Sequence, residues 1–361
     1  MASLLLLGVD AADPWVSLSP SDPNVAWLGR VDLSVPASPR FAWSGSGFSL
    51  DFEGTGVVAT LETFSQPGEG GVDRYEVRVD GGAPVQLEAP AGEHELVLAA
   101  DLDPGPHLVE VRKVTEAMVG TGALYALTLA PGGRLRNPRP GPPRRLEVIG
   151  GSEACGAGLR ALPGGAPAEF SPAEEDWSRA WPQLLSQALD AQVHTICYSG
   201  RGLLGPGAEP ADPQLPELWR RTLPHDPGSS WDFGRYVPDV VLLELGAHDL
   251  VSGRPSRRVF RAALEQWIRE VRDAFPEAWI FLVPSLSVTG TWPEGGWGPE
   301  WLADRFAEQK VLAEERGDPR IRFFLSDRQE GAPGSVPSAD AAAHAAQARD
   351  LTRQLRTTLG W

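Results

Sequence analysis

The sequence is poor in lysine and cysteine and has no long hydrophobic run. Lys113 and Lys310 are the only lysines among 361 residues, which leaves few candidates for Schiff-base chemistry. The two cysteines, Cys155 and Cys197, make neither a disulfide framework nor a zinc-binding pattern. No apolar run approaches the roughly 20 residues of a membrane-spanning helix. We therefore expect no metal, no cofactor and no membrane partner. The two cysteines lie just after the turn that contains Ser152 and just before a second glycine turn, a placement that allows them to face each other. A single bridge is one alternative for this pair, and buried free thiols are the favoured one.

Positive charge is scarce relative to negative charge. The chain has 32 basic and 48 acidic residues, a net charge of -16 and a pI near 4.9. Such a charge repels phosphate backbones and anionic lipid surfaces, so we expect no nucleic-acid partner. The apolar run Ser3–Val9 follows no basic segment and is shorter than most signal-peptide cores, which slightly favours a cytoplasmic over a secreted location.

The first part of the chain has the pattern of a β-sandwich. A length of 361 residues is too long for one compact core, and 40 glycines and 34 prolines indicate many turns. Between Ala26 and Leu129, short runs of alternating apolar and polar residues are separated by Gly, Pro and Asp, as in antiparallel sheets. Asp80-Gly81 predicts a hairpin turn. Because the proline-rich stretch 136–144 is typical of a linker, we place a β-sandwich domain at residues 1–140.

After residue 140 the pattern changes to apolar strands that alternate with amphipathic helices. We predict strands at 146–149, 240–245, 279–283 and 321–324, and helices at 181–189, 259–275, 301–316 and 341–359. This alternation is typical of a parallel sheet covered by helices on both faces. Residues 141–361 are therefore predicted to form an α/β domain.

Three turns of this second domain carry candidate functional residues. In open parallel sheets, ligands bind beyond the carboxyl ends of the strands. Ser152 lies in the turn Ile149–Gly158, where glycines allow a sharp bend and backbone N–H groups can hold an oxyanion. Cys197–Gly202 is another glycine turn, and Leu245–Asp249 places polar residues after a buried strand. Taken alone, Ser152 is better explained as a helix cap and His248 as a structural residue.

Taken in this order, the turns resemble those of SGNH (GDSL-type) hydrolases, and nearly the whole chain resembles the two-domain carbohydrate esterases of family two. The motifs that carry the resemblance in the first domain are Gly29-Arg30, Phe41–Ser46, Asp51–Thr55, Val79–Gly81 and Glu110–Glu116. In the second domain they are Ile149–Gly158, Ser199–Gly202, Trp231–Phe233, Pro238–Val241, Gly246–Asp249 and Leu359–Trp361. The resemblance implies an N-terminal β-sandwich jelly-roll domain and an α/β SGNH-hydrolase domain, which is a flavodoxin-like three-layer fold with a parallel sheet.

The resemblance also implies a reaction, the removal of acetyl groups from sugar hydroxyls through a serine ester. Ser152 matches the position of the nucleophile. The backbone N–H groups of Ser152 and Gly202 match the positions of two oxyanion donors. The implied partner is a carbohydrate or a related small molecule.

Three positions depart from the family pattern. Gly151 replaces the Asp of Gly-Asp-Ser, and His248 replaces the Asn of Gly-x-Asn-Asp. The family's Asp-x-x-His-Pro-Ser supplies the general base, and its counterpart here is the stretch 334–340, with Val336 or Ser338 at the position of the histidine. Loss of the base costs serine hydrolases several orders of magnitude in rate.

Two histidines are candidates to replace this base. His248 follows a strand whose end is expected beside the Ser152 turn, so we rank it first, as a base or as an oxyanion donor through a ring N–H. His344 corresponds to a second histidine that family members often carry in the terminal helix, and we rank it second. We give equal weight to a structural role for His344.

Tryptophans are candidate substrate-binding residues because exposed indoles stack on sugar rings. Trp231, Trp292 and Trp297 are the ones we select, although most tryptophans lie in cores or domain interfaces. The tryptophan that commonly precedes the family's catalytic histidine is replaced here by Ser335.

The sequence leaves three functions open. The first is a serine esterase or acyl-transfer enzyme with an atypical site, acting on O-acyl groups, foremost O-acetyl groups, of a carbohydrate or related metabolite. The second is a catalytically silent relative that binds carbohydrate or acts as a scaffold. The third is a biosynthetic acyltransferase in which an apolar Val336 favours transfer over hydrolysis. We favour the first because Ser152 is kept within its frame of glycines.

Overall fold

The computed structural model describes residues 14–65, 71–160, 171–204, 212–324 and 340–361. These residues form the two predicted folds, an antiparallel β-sandwich followed by an α/β domain with a parallel sheet. The predicted boundary at residue 140 falls in the segment between the last strand of the sandwich and the first strand of the parallel sheet.

The first domain is a sandwich of two antiparallel sheets. Its strands are β1 (Val16–Leu18), β2 (Val25–Leu28), β3 (Arg40–Phe41), β4 (Gly47–Gly54), β5 (Val57–Ser65), β6 (Asp73–Val79), β7 (Val85–Ala89), β8 (Gly92–Ala99), β9 (Gly105–Lys113), β10 (Gly120–Leu129) and β11 (Arg134–Leu135). One sheet has the order β1-β10-β5-β8, with β3 also on β10, and the other has the order β11-β4-β9-β6-β7, with β2 also on β4. Apolar residues that alternate along the strands, such as Leu50 and Phe52 or Val109 and Val111, are wholly buried between the sheets.

The predicted hairpin turn at Asp80-Gly81 is present and joins β6 to β7. Asp80 and Gly81 have φ values of 51° and 70°, which is the left-handed region that a tight hairpin requires. The N–H of Gly82 donates to the carbonyl of Val79 at 2.8 Å and closes the turn. A local sequence signal therefore sets the pairing of these two strands.

The second domain has three layers, with a five-stranded parallel sheet between helices. Its elements are β12 (Arg144–Gly150), α1 (Ser152–Cys155), α2 (Trp181–Leu189), β13 (Ala191–Cys197), α3 (Leu215–Leu218), β14 (Val240–Leu245), α4 (Arg257–Ala274), β15 (Trp279–Pro284), α5 (Gly298–Glu315), β16 (Ile321–Phe323) and α6 (Ala341–Leu359). The strand order β13-β12-β14-β15-β16 is that of flavodoxin-like folds. Within the described ranges, no helix combines the length and hydrophobicity needed to cross a membrane.

The sequence of the central strand β14 is almost continuously apolar. All six of its residues are buried because helices cover both faces of the sheet. Val241 and Leu243 pack with residues of α4 and α5, whereas Val240 and Leu242 pack with residues of α2 and α6. One residue of the strand, Glu244, is charged in sequence and is nevertheless 1% exposed.

The two domains share a buried interface. Trp43 of the first domain packs in the same hydrophobic core as α4 and α5, and its indole N–H donates to the carbonyl of Thr222 at 2.8 Å. Arg30 of the first domain and Glu147 of β12 form an ion pair of 3.3 Å with both side chains fully buried. The indole N–H of Trp219 donates to the other oxygen of Glu147 at 2.6 Å. Glu147 would thus lose its charge partner if the first domain were absent.

The expectation of free thiols is wrong, because Cys155 and Cys197 form a disulfide. Cys155 ends α1, which follows β12, and Cys197 ends β13, which pairs with β12 so that Gly150 and Cys197 are neighbours in register. This strand pairing brings the two Cα atoms to 5.5 Å, a normal separation for a disulfide. The positions of the cysteines, one just after the Ser152 turn and one just before the second glycine turn, already allowed this proximity.

Candidate active site

Ser152 is the first residue of α1, directly beyond the carboxyl end of β12. Two glycines make this turn possible. A Cβ atom on Gly150 would lie 2.9 Å from the side chain of Ala154, and Gly156 ends the helix with a φ of 84°. The cap position is taken by Gly151, and no side chain caps the helix. Ser152 is therefore not the helix cap, and its hydroxyl remains available at the edge of the sheet.

The second turn, Ser199–Gly202, follows β13 and lies next to the first. The N–H of Tyr198 donates to the carbonyl of Gly150 at 3.1 Å and joins the two turns. The N–H of Ser199 donates to Glu116 Oε2 at 2.7 Å, so a side chain of the first domain holds this turn. The N–H of Gly202 donates to Gln214 Oε1 at 3.4 Å.

The third turn, Gly246–Asp249, follows β14 and anchors the second. Asp249 is 5% exposed, and its carboxylate accepts the N–H of Gly246 at 3.1 Å and the N–H of Leu204 at 2.9 Å. Burial raises the pKa of Asp249, and these backbone donors act against that rise. A Cβ atom on Gly202 would lie 2.8 Å from Asp249 Oδ1, so only glycine fits this close approach. Asp249 thus points towards the Gly202 segment and fixes it.

His248 lies beside the Ser152 turn. A Cβ atom on Gly151 would be 3.5 Å from Cδ2 of the His248 ring, so the imidazole occupies the space next to Gly151. The two departures from the family pattern at 151 and 248 are therefore adjacent in space. The N–H of Gly200 donates to His248 Nε2 at 3.1 Å, which assigns the ring proton to Nδ1. The acceptor nitrogen of His248 is thus engaged by the second turn.

His344 is brought to a different place. It is fully buried on α6, and its Nδ1 accepts the backbone N–H of Trp181, the first residue of α2, at 3.0 Å. This contact satisfies one of the N–H groups that a helix start leaves without an intrahelical partner. The structure thus places His344 between α2 and α6 and does not bring it to Ser152.

The three candidate tryptophans occupy two environments. Trp231 is 6% exposed, and the guanidinium groups of Arg30 and Arg235 lie 5.0 and 4.8 Å from its ring centroid. Trp292 and Trp297 are partly buried in the segment between β15 and α5, beyond the carboxyl end of the sheet. The structure therefore brings Trp292 and Trp297 to the active-site edge of the sheet and packs Trp231 against arginines of the domain interface.

Sequence reasoning missed two buried carboxyl groups next to Ser152. Glu153 is 6% exposed, and its Oε2 accepts the Ser152 hydroxyl at 3.3 Å. Glu244 of β14 lies beneath α1, and its side chain occupies the place where a Cβ atom on Gly150 would be. Burial and then the charge of Glu153 raise the pKa of Glu244 well above its ordinary value. The available signal was a glutamate inside an apolar strand and another directly after the nucleophile.

Several sequence predictions cannot be placed in this site. Ser335, Val336 and Ser338 lie outside the described residues. Within the described ranges, no group of three or more His, Cys, Asp or Glu side chains is arranged to hold a metal ion.

Family models match both domains of the chain. The model of the GDSL-like lipase/acylhydrolase family matches residues 148–352, which is more than half of the chain. The protein therefore belongs to the GDSL-like lipase/acylhydrolase family. The model of the carbohydrate esterase 2 N-terminal domain matches residues 27–139, so the first domain is the one that characterises family two carbohydrate esterases. The predicted resemblance is confirmed.

Curated relatives and solved structures agree with this assignment. The cellulase/esterase CelE of Acetivibrio thermocellus is 29% identical over 343 residues, which are 94% of this chain and 40% of CelE. The chain thus spans less than half the length of that relative. An acetylxylan esterase/glucomannan deacetylase of Cellvibrio japonicus is 28% identical, over 96% of this chain and 92% of that protein. A family two carbohydrate esterase from Clostridium thermocellum, solved in complex with cellohexaose, superimposes with a TM-score of 0.83 at 28% identity, over 93% of this chain and 99% of that one.

Proposed function

We propose that this protein is a serine esterase that removes O-acetyl groups from a carbohydrate, with Ser152 as its nucleophile. The observation that carries the proposal is the position of Ser152. It begins a helix at the carboxyl edge of a parallel sheet, without serving as the helix cap, beside a second turn with backbone N–H groups. The names of the relatives, an acetylxylan esterase/glucomannan deacetylase and a cellulase/esterase, support an acetylated plant polysaccharide as the substrate.

The proposed reaction is acyl transfer through an acetyl-serine intermediate. Ser152 Oγ attacks the carbonyl carbon of the acetyl group, and the N–H groups of Ser152 and Gly202 stabilise the resulting oxyanion. In this step the Gly202 N–H exchanges its 3.4 Å contact with Gln214 Oε1 for the oxyanion. Collapse of this intermediate breaks the bond to the sugar oxygen, and water then hydrolyses the acetyl-serine. Asp249 contributes by fixing the Gly202 segment through its bond to the N–H of Leu204.

We propose a positioning role for His248 in this reaction. Because its Nε2 accepts the N–H of Gly200, the ring holds the turn that carries Gly202. His248 would act as a base towards Ser152 only if Gly200 released this nitrogen. Trp292 and Trp297 are the proposed sugar-stacking residues, since they lie at the active-site edge of the sheet.

Carbohydrate binding without catalysis is the second candidate function. It is favoured by one observation, that the ring nitrogens His248 Nε2 and His344 Nδ1 are bonded to backbone N–H groups rather than to Ser152. The relative solved with cellohexaose supports a glucan-binding surface of this kind.

Acetate release from acetylated xylan and acetylated glucomannan tests the proposal. The wild type is expected to release acetate, and Ser152→Ala is expected to lose about three orders of magnitude or more in rate. Binding of cellohexaose by both proteins is measured in parallel as a folding control. Equal acetate release by the two proteins would contradict the nucleophile. Cellohexaose binding with no acetate release by the wild type would favour the silent relative, and an acyl-enzyme that forms but does not hydrolyse would favour an acyltransferase.

A further inference from the structure

We propose that the Glu153 carboxylate is the general base that accepts the proton of Ser152. This inference rests on the proposed esterase function and names the group that this function requires. It replaces the histidine of the usual serine-hydrolase arrangement with a buried carboxylate.

The first observation is the contact of the nucleophile. Ser152 Oγ donates to Glu153 Oε2 at 3.3 Å, and both residues lie in the first turn of α1. Proton transfer needs the two oxygens at about 2.6 to 3.2 Å, and contacts of this kind are often slightly long before the substrate is bound. The carboxylate is therefore within reach of the proton that must be removed.

The second observation is that Glu153 is held in one orientation. Its side chain is 6% exposed, and its other oxygen, Oε1, accepts the backbone N–H of Ser287 at 3.3 Å. Ser287 belongs to the segment that follows β15, so a separate element of the domain fixes this carboxylate. With Oε1 engaged, Oε2 faces Ser152 without a change of rotamer, which is the pre-organisation that a catalytic base needs.

The third observation concerns Glu244, which lies below Glu153 on β14 and is 1% exposed. Burial and the charge of Glu153 raise its pKa well above the ordinary value, although the indole N–H of Trp181 and the backbone N–H of Ala154 act in the opposite direction. Glu244 therefore favours its protonated form more than an exposed glutamate does. The charges of two adjacent carboxyl groups interact, and Glu153 is the one in contact with the nucleophile.

The histidines of the chain do not compete for this role. All six lie in the described residues, and each has another contact: His94 with the carbonyl of Pro90, His107 with Asp80, His194 stacked on Tyr236, His225 with the carbonyl of Ala117, His248 with Gly200, and His344 with Trp181. Glu153 is the side chain whose carboxylate is bonded to the Ser152 hydroxyl.

The proposed steps conserve protons and electrons. As the bond from Ser152 Oγ to the acetyl carbon forms, the Oγ proton moves to Glu153 Oε2 and the carbonyl electron pair moves to oxygen. The tetrahedral intermediate collapses, the bond to the sugar oxygen breaks, and Glu153 returns the proton to that oxygen. In the second half, water gives a proton to Glu153 and its oxygen attacks the acetyl carbon. Acetic acid leaves and loses its remaining proton to the solvent, and Ser152 Oγ regains the proton from Glu153.

The main test is Glu153→Gln, which keeps the size of the side chain and an acceptor for Ser287 but cannot take up a proton at physiological pH. We expect kcat/KM for p-nitrophenyl acetate to fall by about 10²- to 10⁴-fold, the usual contribution of a general base. Labelling of Ser152 by a fluorophosphonate should slow to a similar extent. The matched control is Glu244→Gln, the same change at a neighbouring buried glutamate, and it is expected to stay within about tenfold of the wild type because Glu153 is the glutamate that contacts Ser152. An equal loss in Glu244→Gln would show that the effect is not specific to the group in contact with Ser152 and would overturn the base.

A second variant separates catalysis from structure. Glu153→Ala removes the carboxylate and leaves space beside Ser152, so added formate is expected to restore part of the activity. A purely structural role for Glu153 predicts no rescue by formate. Failure of rescue together with a wild-type rate in Glu153→Gln would refute the base.

Failure of this inference can be told apart from failure of the proposed function. If the wild type neither releases acetate nor becomes labelled at Ser152, the esterase proposal itself is wrong. If the wild type is active, Ser152→Ala is inactive and Glu153→Gln is as active as the wild type, the esterase stands and Glu153 is not its base.

Discussion

Two pairs of buried carboxyl groups within the described part of the chain flank the candidate active site, and they have different surroundings. Glu153 and Glu244 both belong to the second domain and lie at the Ser152 turn. Glu116 comes from the first domain and Glu175 from the second, and this pair lies behind the Ser199 turn. All four side chains are at least nine-tenths buried. Each pair includes a group whose pKa burial raises well above the ordinary value, Glu244 in the first and Glu175 in the second.

The second pair faces backbone amides. Glu116 Oε2 accepts the N–H of Ser199 at 2.7 Å, and Glu175 Oε2 accepts the N–H of Glu116 at 2.9 Å. Amide protons stay on nitrogen at physiological pH, so this pair can only hold the chain in place. In the first pair, Glu153 faces the hydroxyl of Ser152, whose proton can be transferred. The comparison shows that burial alone does not make a carboxyl group catalytic, because the donor that it faces decides what it can do.

Removal of the disulfide should have the largest effect on this arrangement, because the disulfide links a segment that carries one pair of carboxyl groups to a segment that the other pair holds. Cys155 lies on α1 with Glu153, and Cys197 ends β13 two residues before Ser199. Replacement of both cysteines by Ala should lower the free energy of unfolding by about 4 kcal/mol, because the bridge closes a loop of 42 residues in the unfolded chain. Urea unfolding measures the change. A reductant should lower the free energy of unfolding of the wild type and leave that of the double variant unchanged. Equal stability of the wild type and the double variant would contradict the prediction.

Glu116→Ala is expected to have an intermediate effect. It leaves the buried N–H of Ser199 without an acceptor, which should lower the free energy of unfolding by roughly 1 to 3 kcal/mol. Because the Gly202 donor follows in the same turn, kcat/KM should fall by about tenfold. Acetate release and urea unfolding measure the two effects.

Glu116→Gln provides the control for this variant. Its amide oxygen can still accept the Ser199 N–H, so activity and stability should remain close to those of the wild type. A loss as large as that in Glu116→Ala would show that the charge of Glu116 matters, and the contrast with Glu153 would then be weakened.

The smallest expected effect is a dependence of stability on pH that both pairs share. The raised pKa of Glu244 means that the folded state binds a proton more tightly than the unfolded chain. The stability contributed by this group is therefore complete below the ordinary carboxyl pKa of about 4.3, and it is lost as the pH rises through the raised pKa of the folded state. The slope is at most about 1.4 kcal/mol per pH unit for each such group.

Unfolding in urea between pH 5 and pH 8 tests this dependence. Glu244→Gln should unfold with a shallower slope of free energy against pH than the wild type, and Glu175→Gln should show a change of the same sign. A slope unchanged by Glu244→Gln would mean that Glu244 is ionised in the folded protein.

The sequence predicted the fold and the edge of the sheet that carries the site. Alternating apolar residues in the first domain and strand–helix alternation in the second are local signals, and the turns at Ser152, Gly202 and His248 do come together beyond the carboxyl ends of three neighbouring strands. These features depend on the order of elements along the chain. They could therefore be inferred without side-chain positions.

The remaining features depend on contacts between distant residues. Trp231 and Trp297 are equivalent as residue types, and each has an arginine guanidinium over its ring. Burial and place in the fold distinguish them, because Trp231 is 6% exposed at the domain interface and Trp297 is partly buried in the segment between β15 and α5. The disulfide required the pairing of β12 with β13. The position of Glu153 directly after Ser152 was visible in the sequence, but nothing local indicates that Ser287, 134 residues away, fixes its carboxylate towards Ser152.

The buried ion pair between Arg30 and Glu147 bears on how this chain can be rearranged in evolution or in the laboratory. Glu147 lies in the first strand of the α/β domain, and its charge is neutralised by Arg30, a residue of the sandwich. Separation of the two domains at the linker would expose this carboxylate, the indole of Trp219 and the surface that Trp43 covers. Fusions that join this part of the chain to another protein should accordingly carry both domains together.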